Sequence, residues 1–180
     1  MNVIWTYVQV GDDGGAPNFE APNTTLAICK PIIRRCAKAG DMVLAFNGKP
    51  LSREPHSVRW AGVVVEIIPF ADYWRDTRFR NKRPDLARTM PDNIYRPGPV
   101  GLVQEPNRKH GLEAATKDLR GRNVLVFGKC WRFAEGVLLP ARFNLRIPRH
   151  ARRGQRKHPA TGSAREELEK WLDQNAARSP

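Results

Sequence analysis

Residues 58–68 read "VRWAGVVVEII", the longest run of β-branched and aromatic residues in the chain. Such a run predicts a strand, and Gly62 inside it suggests a bulge or bend of the kind barrels use at their corners. Immediately upstream, "DMVLAF" (41–46) predicts a second strand that runs into the turn "NGKP". Further back, "VIWTYVQV" (3–10) ends at "GDDGG" and predicts the first strand, and "GAPNFEAPN" is loop. Between them, "KPIIRRCAKAG" places Pro31 at a first helical position and Gly40 past the end, with Ile32, Ile33, Cys36 and Ala37 at helical spacing. The pattern predicts a short helix with Arg34, Arg35 and Lys38 turned outward.

Downstream, "PFADYWRDTRF" predicts a short helix with Phe70, Tyr73 and Trp74 on one face. Residues 76–118 are rich in Arg, Pro, Asn and Gly and show little periodicity. "NVLVFGKCWRF" (123–133) predicts a strand bent or broken at Gly128, and "GVLLP" (136–140) closes the core. Residues 142–157 carry many cations and no acid, which reads as a basic tail. "SAREELEKWLDQNAAR" begins with a capping box, Ser163 and Glu166, and places Leu168, Trp171 and Leu172 on one helical face. Strands and short helices without regular alternation predict an α+β chain built on a small mixed β-barrel with a C-terminal helix. The expected division is one domain over 1–148, a basic linker over 149–162 and a helix over 163–178.

With 180 residues, 41% of them hydrophobic, the chain can bury a core without crosslinks. It has no apolar run long enough for a membrane span, and its polar start lacks signal-peptide character, so a cytoplasmic protein is expected. Three cysteines, an odd number, argue for reduced thiols. A formal net charge of +13 attracts polyanions through phosphate contacts and counterion release. Nucleic acid is the expected partner, DNA ahead of RNA, and no membrane is.

Cys29 stands beside Lys30 just before a helix, an electropositive setting suited to a reactive thiol. No partner is legible, because His56, His110, His150 and His158 fall in loop or tail segments away from an obvious carboxylate. Six residues separate Cys29 from Cys36, which does not suit a metal knuckle, so neither a metal nor a cofactor is expected. Asp72 and Asp76 read as surface partners of Arg75 and Arg78. The alternative for Lys30 and Arg34 is an anion cradle. Tyr7, Phe46 and Trp60, on strands flanking the turn that holds Lys49, are candidates for base stacking. Asn18 and Asn47 are candidates for reading polar edges.

Several stretches together resemble the nucleotide modification associated domain 2 family of bacteria and phages. They are "TYV", "APN", "TLAICKPIIRRCAKAGD", "FADYWRDTRFRNKRPD", "DNIY" and the "FG" of "VLVFGK", in that order. The resemblance implies a link with systems that make or handle modified DNA bases. Gly40-Asp41, "MVLAFN" and "WAGVVVE" are also similar, more loosely, to PUA-like barrels, whose relatives bind modified nucleotides in a pocket. Met42 and "LVFG" depart from the aromatic residues common in the domain family.

The resulting expectation is a non-catalytic nucleic-acid-binding domain that recognises a modified or flipped base. Its base or nucleotide site would comprise Tyr7, Asn18, Thr25, Cys29, Lys30, Arg34, Phe46, Asn47, Lys49 and Trp60. Phosphate contacts would come from Arg75, Arg78, Arg80, Lys82 and Arg83, and from Arg149, Arg152, Arg153, Arg156 and Lys157. The rival expectation is an enzyme acting on a nucleotide or modified base through Cys29, Lys30 or an acid such as Asp41.

Overall fold

The computed structural model describes residues 2–11, 15–48, 57–88, 90–107, 110–148 and 154–176. It is a mixed α+β chain. In order its strands are β1 (Val3–Gln9), β2 (Thr24–Leu26), β3 (Met42–Asn47), β4 (Val58–Pro69), β5 (Tyr95–Gly98), β6 (Gly101–Gln104), β7 (Asn123–Val137) and β8 (Gln155–Pro159). Its α-helices are α1 (Pro31–Cys36), α2 (Phe70–Arg75), α3 (Leu112–Leu119) and α4 (Gly162–Ala176), and Thr77–Lys82 forms a 3-10 helix. The chain groups into two units made of interleaved segments. One is Met1–Asp12, Gly40–Val64 and Lys129–Pro180; the other is Asp13–Ala39 with Val65–Gly128.

In the first unit the strand order is β7-β4-β3-β1-β8. β1 runs parallel to β3, from Ile4 opposite Met42 to Gln9 opposite Asn47, and antiparallel to β8. β1 and β3 are buried almost throughout, which is why they read as continuous apolar runs rather than alternating ones. On one face Ile4, Met42, Leu44 and Phe46 pack with Leu168, Trp171 and Leu172 of α4 and with Trp131 and Phe133 of β7. Gly40 adopts φ +88°, and a Cβ there would come within 2.7 Å of Asn2 Nδ2. The turn it makes delivers Asp41, whose carboxylate accepts Val3 N–H (2.9 Å) and Trp5 Nε1–H (3.2 Å). Asp41 is thus committed to holding β1 in place.

In the second unit β2 pairs antiparallel with β7, Thr25 opposite Val126, and the order is β2-β7-β4. Ala27, Ile28, Ile68, Phe70, Tyr73, Phe79, Ile94, Tyr95, Val124 and Val126 form its core. Pro31 sits at the start of α1, where its lack of an N–H costs nothing and its fixed φ suits the helix.

Several expectations need correction. Neither strand order closes on itself, so the described residues contain no closed barrel. Gly62 pairs regularly with Val43; the irregularity lies at Ala45/Phe46, opposite the start of β4. β7 runs unbroken through Gly128 and ends at Val137, so it takes in only the first two residues of the segment 136–140 expected to close the core. The excursion 76–118 holds the 3-10 helix, the β5–β6 hairpin and most of α3, short elements of which only α3 carries a helical spacing. Gln155–Pro159, within the stretch expected as basic tail and linker, is the strand β8, and α4 starts one residue before Ser163. α1 ends at Cys36, with Ala37 already extended, so a helical wheel drawn to residue 39 misplaces its faces. Ile33 and Ala37 are buried, whereas Ile32 and Cys36 are exposed. Arg34, expected to point outward, is fully buried.

Candidate functional site

The turn between β2 and α1 carries two consecutive residues in the left-handed region, Cys29 (φ 59°) and Lys30 (φ 44°). Neither is glycine, and each such residue costs on the order of 1–3 kcal/mol unless its surroundings enforce it. Here they do. The Cys29 N–H donates to Asp118 Oδ1 at 2.8 Å, and the Cys29 carbonyl accepts from Arg34 Nε at 2.7 Å. Both backbone groups of the cysteine are held by side chains.

Asp118, on the last turn of α3, is 1% exposed. Its Oδ2 accepts the Tyr95 hydroxyl at 3.1 Å and lies 3.2 Å from His110 Nδ1, at ion-pair distance but off the linear hydrogen-bond direction. The other ring nitrogen of His110, Nε2, lies 3.9 Å from Cys29 Sγ. The histidine is itself fixed, its N–H donating to Asn107 Oδ1 (2.6 Å) and its carbonyl accepting from Gln104 Nε2 (2.6 Å). Asp118 first, and then Cys29, push the imidazole up to about 10. At neutral pH the ring between thiol and carboxylate is therefore a cation. Burial lowers the neighbouring Lys30 amine to about 8.

Thiol, imidazole and buried carboxylate in this sequence of contacts form the arrangement used for nucleophilic catalysis. The sulfur to nitrogen distance is longer than a working hydrogen bond, as it often is before substrate binds. The sequence reading misses His110 and Asp118 because they lie 81 and 89 residues from Cys29. The one local signal is Leu112, Ala115 and Leu119 at helical spacing, with Ala115 and Leu119 packed on the core. That spacing marks α3 and so places Asp118 on a helix.

Next to this turn lies a second buried network. Thr25 Oγ1 donates to Asp92 Oδ2 (2.7 Å) and the Tyr73 hydroxyl to Asp92 Oδ1 (2.8 Å). The Lys82 ammonium donates to Asn18 O (3.3 Å), Asn23 O (2.6 Å) and Thr25 Oγ1 (2.9 Å). Burial raises the Asp92 carboxyl and Tyr73 hydroxyl from their ordinary ranges. The stretches "APN", "TLAICKP", "FADYW", "FRNKRPD" and "DNIY", far apart in sequence, thus meet in these two networks.

The remaining candidates divide by unit. Asn18, Thr25, Cys29, Lys30 and Arg34 belong to the second unit; Asn18 and Thr25 pair backbone to backbone at 2.9 Å. Tyr7, Phe46, Asn47 and Trp60 belong to the first. Trp60 Nε1–H donates to the Tyr7 hydroxyl at 2.9 Å, and Asn47 Nδ2 donates to Ser57 Oγ at 3.0 Å. Tyr7, Phe46 and Trp60 are each at most 1% exposed, so none offers a ring face to solvent. Lys82, expected at a phosphate, is wholly internal. Arg75 and Arg80 are exposed, Arg75 beside Asp72 at 3.6 Å. Arg78 is held by Asp76 and Glu66, and Arg83 stacks on Trp74 and donates to its carbonyl. Arg156 and Lys157 are exposed on β8. Lys49, Arg149, Arg152 and Arg153 lie outside the described residues.

Among the described residues no cluster of His, Cys, Asp and Glu is placed to hold a metal ion, and no helix is long and apolar enough to cross a membrane. Comparison with curated proteins and with solved structures finds no match. The profile of one family, nucleotide modification associated domain 2, matches residues 1–179, and the chain belongs to that family.

Proposed function

We propose that this chain is an enzyme of nucleotide modification whose nucleophile is Cys29, with His110 as proton donor and acceptor and Asp118 as the group that orients it. The observation that carries the reading is the imidazole of His110 standing between the Cys29 sulfur and a buried carboxylate. Thiolate is the nucleophilic form of cysteine, and a cation beside the sulfur is its natural counter-ion. In the proposed step the sulfur forms a bond to an electrophilic carbon of the nucleotide. The π electrons of that carbon move to its neighbouring atom, which takes the proton from His110 Nε2. Net modification follows when a carbon electrophile adds to that neighbouring atom in place of the proton; loss of the atom's own hydrogen as a proton to a base and departure of the sulfur then restore the double bond. The association of the family with nucleotide modification supports the substrate class, and the charge of +13 supports a polyanionic carrier, DNA first. The burial of Tyr7, Phe46 and Trp60 weighs against a purely stacking reader.

Competitive alkylation tests it. Cys36 is exposed while Cys29 is half-buried, so exposure alone puts Cys36 first with iodoacetamide. Activation by His110 puts Cys29 first, and His110→Ala removes that lead. In parallel, Cys29→Ser abolishes conversion of nucleotides or DNA bases, followed by chromatography, while leaving binding intact. Slower modification of Cys29 than of Cys36, or turnover unchanged in Cys29→Ser, rules the reading out.

A further inference from the structure

The network contains one group that the proposed chemistry does not use. Arg34 is fully buried, and among the described residues no carboxylate takes a hydrogen bond from it; Asp118 Oδ1 lies 3.8 Å from its Nη2. Instead its guanidinium donates to three carbonyls: Cys29 O through Nε (2.7 Å), Asn123 O through Nη1 (2.9 Å) and Asp118 O through Nη2 (2.5 Å). The ring of Phe70 lies 5.3 Å from its Cζ. Burial pulls the guanidinium down to about 10, which means the fold holds this cation against a desolvation cost. A well-packed apolar side chain is often at least as good for stability, so stability alone is a weak reason for the arrangement.

Geometry supplies a better one. The three carbonyls belong to the turn after β2, the end of α3 and the start of β7. Two of them come from residues of the proposed site, Cys29 and Asp118. The planar fork donates from three separate nitrogens and so spans three carbonyls set apart in one plane, whereas a lysine's donors all radiate from a single atom. Gly121 leaves the space: a Cβ there would fall 2.4 Å from Arg34 Cζ and Nη1. Gly121 N–H also donates to Asp118 O (2.9 Å), so the same carbonyl is shared.

We propose that Arg34 is the positioning residue of the Cys29 site. By pinning the Cys29 carbonyl it holds the left-handed turn that aims the sulfur at His110, and by gripping the Asp118 carbonyl it keeps the orienting carboxylate in register. This rests on the reading of Cys29 as nucleophile.

The test is the rate of Cys29 alkylation by iodoacetamide in the full chain across a pH series, resolved by peptide mass spectrometry. Cys36 and Cys130 serve as internal standards, and thermal melting checks the fold. Arg34→Lys keeps the charge and loses the fork; Gly121→Ala keeps Arg34 and displaces it. Both are expected to slow Cys29 about tenfold to a hundredfold, the scale of a misplaced reacting group, and to move its pH profile toward that of Cys36, whose own rate stays constant. Wild-type Cys29 no faster than Cys36 defeats the nucleophile reading itself. A fast wild-type Cys29 whose rate and pH profile survive in either folded variant overturns the role of Arg34 alone. If both variants unfold, with all three cysteines reacting alike, Arg34 is a stability element and the proposal is equally overturned.

Discussion

His110 Nδ1 stands 3.2 Å from Oδ2 of Asp118, a carboxylate removed from solvent. The pair ties the β5–β6 side of the second unit to the end of α3 and makes folding pH-dependent. Because the folded imidazole titrates near 10 rather than 6.5, its stabilisation is complete below 6.5 and is lost as pH rises through about 10. Lys30 acts in the opposite sense over part of that window, since burial has lowered its amine to about 8. The comparison is therefore between wild type and His110→Gln. The variant should lose stability at pH 6 relative to wild type, and the gap should narrow toward pH 10 in urea titrations. A gap independent of pH contradicts the ion pair.

The internal ammonium of Lys82 predicts an asymmetry. Lys82→Met takes one donor each from Asn18 O, Asn23 O and the Thr25 hydroxyl, although Asn18 O keeps the Thr25 N–H and the hydroxyl keeps Tyr73, and it removes the ammonium that offsets the Asp92 charge. Breaking a buried pair in this way costs about 3–5 kcal/mol. Asp92→Asn should cost less, because the fold already disfavours the carboxylate's charge and every Lys82 donor keeps an acceptor. Denaturation midpoints give the order, and equal losses would show the charges to be incidental.

α4 docks on its own unit. Trp171 is 8% exposed and its ring centroid lies 5.8 Å from that of Phe143, while Asp173 accepts Trp131 Nε1–H at 2.8 Å. Trp171→Ala should destabilise the chain by about 3–5 kcal/mol, measured by denaturant unfolding at several protein concentrations. A loss that grows on dilution would point to docking on a second copy instead.

DNA binding, if carried by the exposed cations, must weaken with salt, the slope of log K on log salt being about −0.9 per neutralised phosphate. Arg156→Glu together with Lys157→Glu should flatten that slope by roughly two contacts. Lys82→Met, in its folded fraction, should leave the slope unchanged, because its ammonium never meets solvent. Fluorescence anisotropy over a salt series reads both. A slope insensitive to Arg156 and Lys157 places the phosphate contacts elsewhere.

What could be read from the linear chain follows from local physics. β-branched runs mark β1, β3, β4 and β7; Pro31 marks the start of α1; Leu168, Trp171 and Leu172 at helical spacing mark α4. Each depends on neighbours in sequence, as does the reactive setting suggested for Cys29 beside Lys30. Family membership was legible too, because its motifs are contiguous.

Only the tertiary structure could decide the rest. Whether strands close into a barrel depends on which edges pair, and no single strand encodes that. Arg34 and Lys82 looked like surface cations because charge predicts exposure, but carbonyls gathered from distant segments satisfy them inside. Tyr7, Phe46 and Trp60 looked available for stacking, yet strands covered on both faces bury them. His110 and Asp118 became partners of Cys29 because chain folding, and no spacing along the sequence, brings a loop and a helix end to the turn after β2.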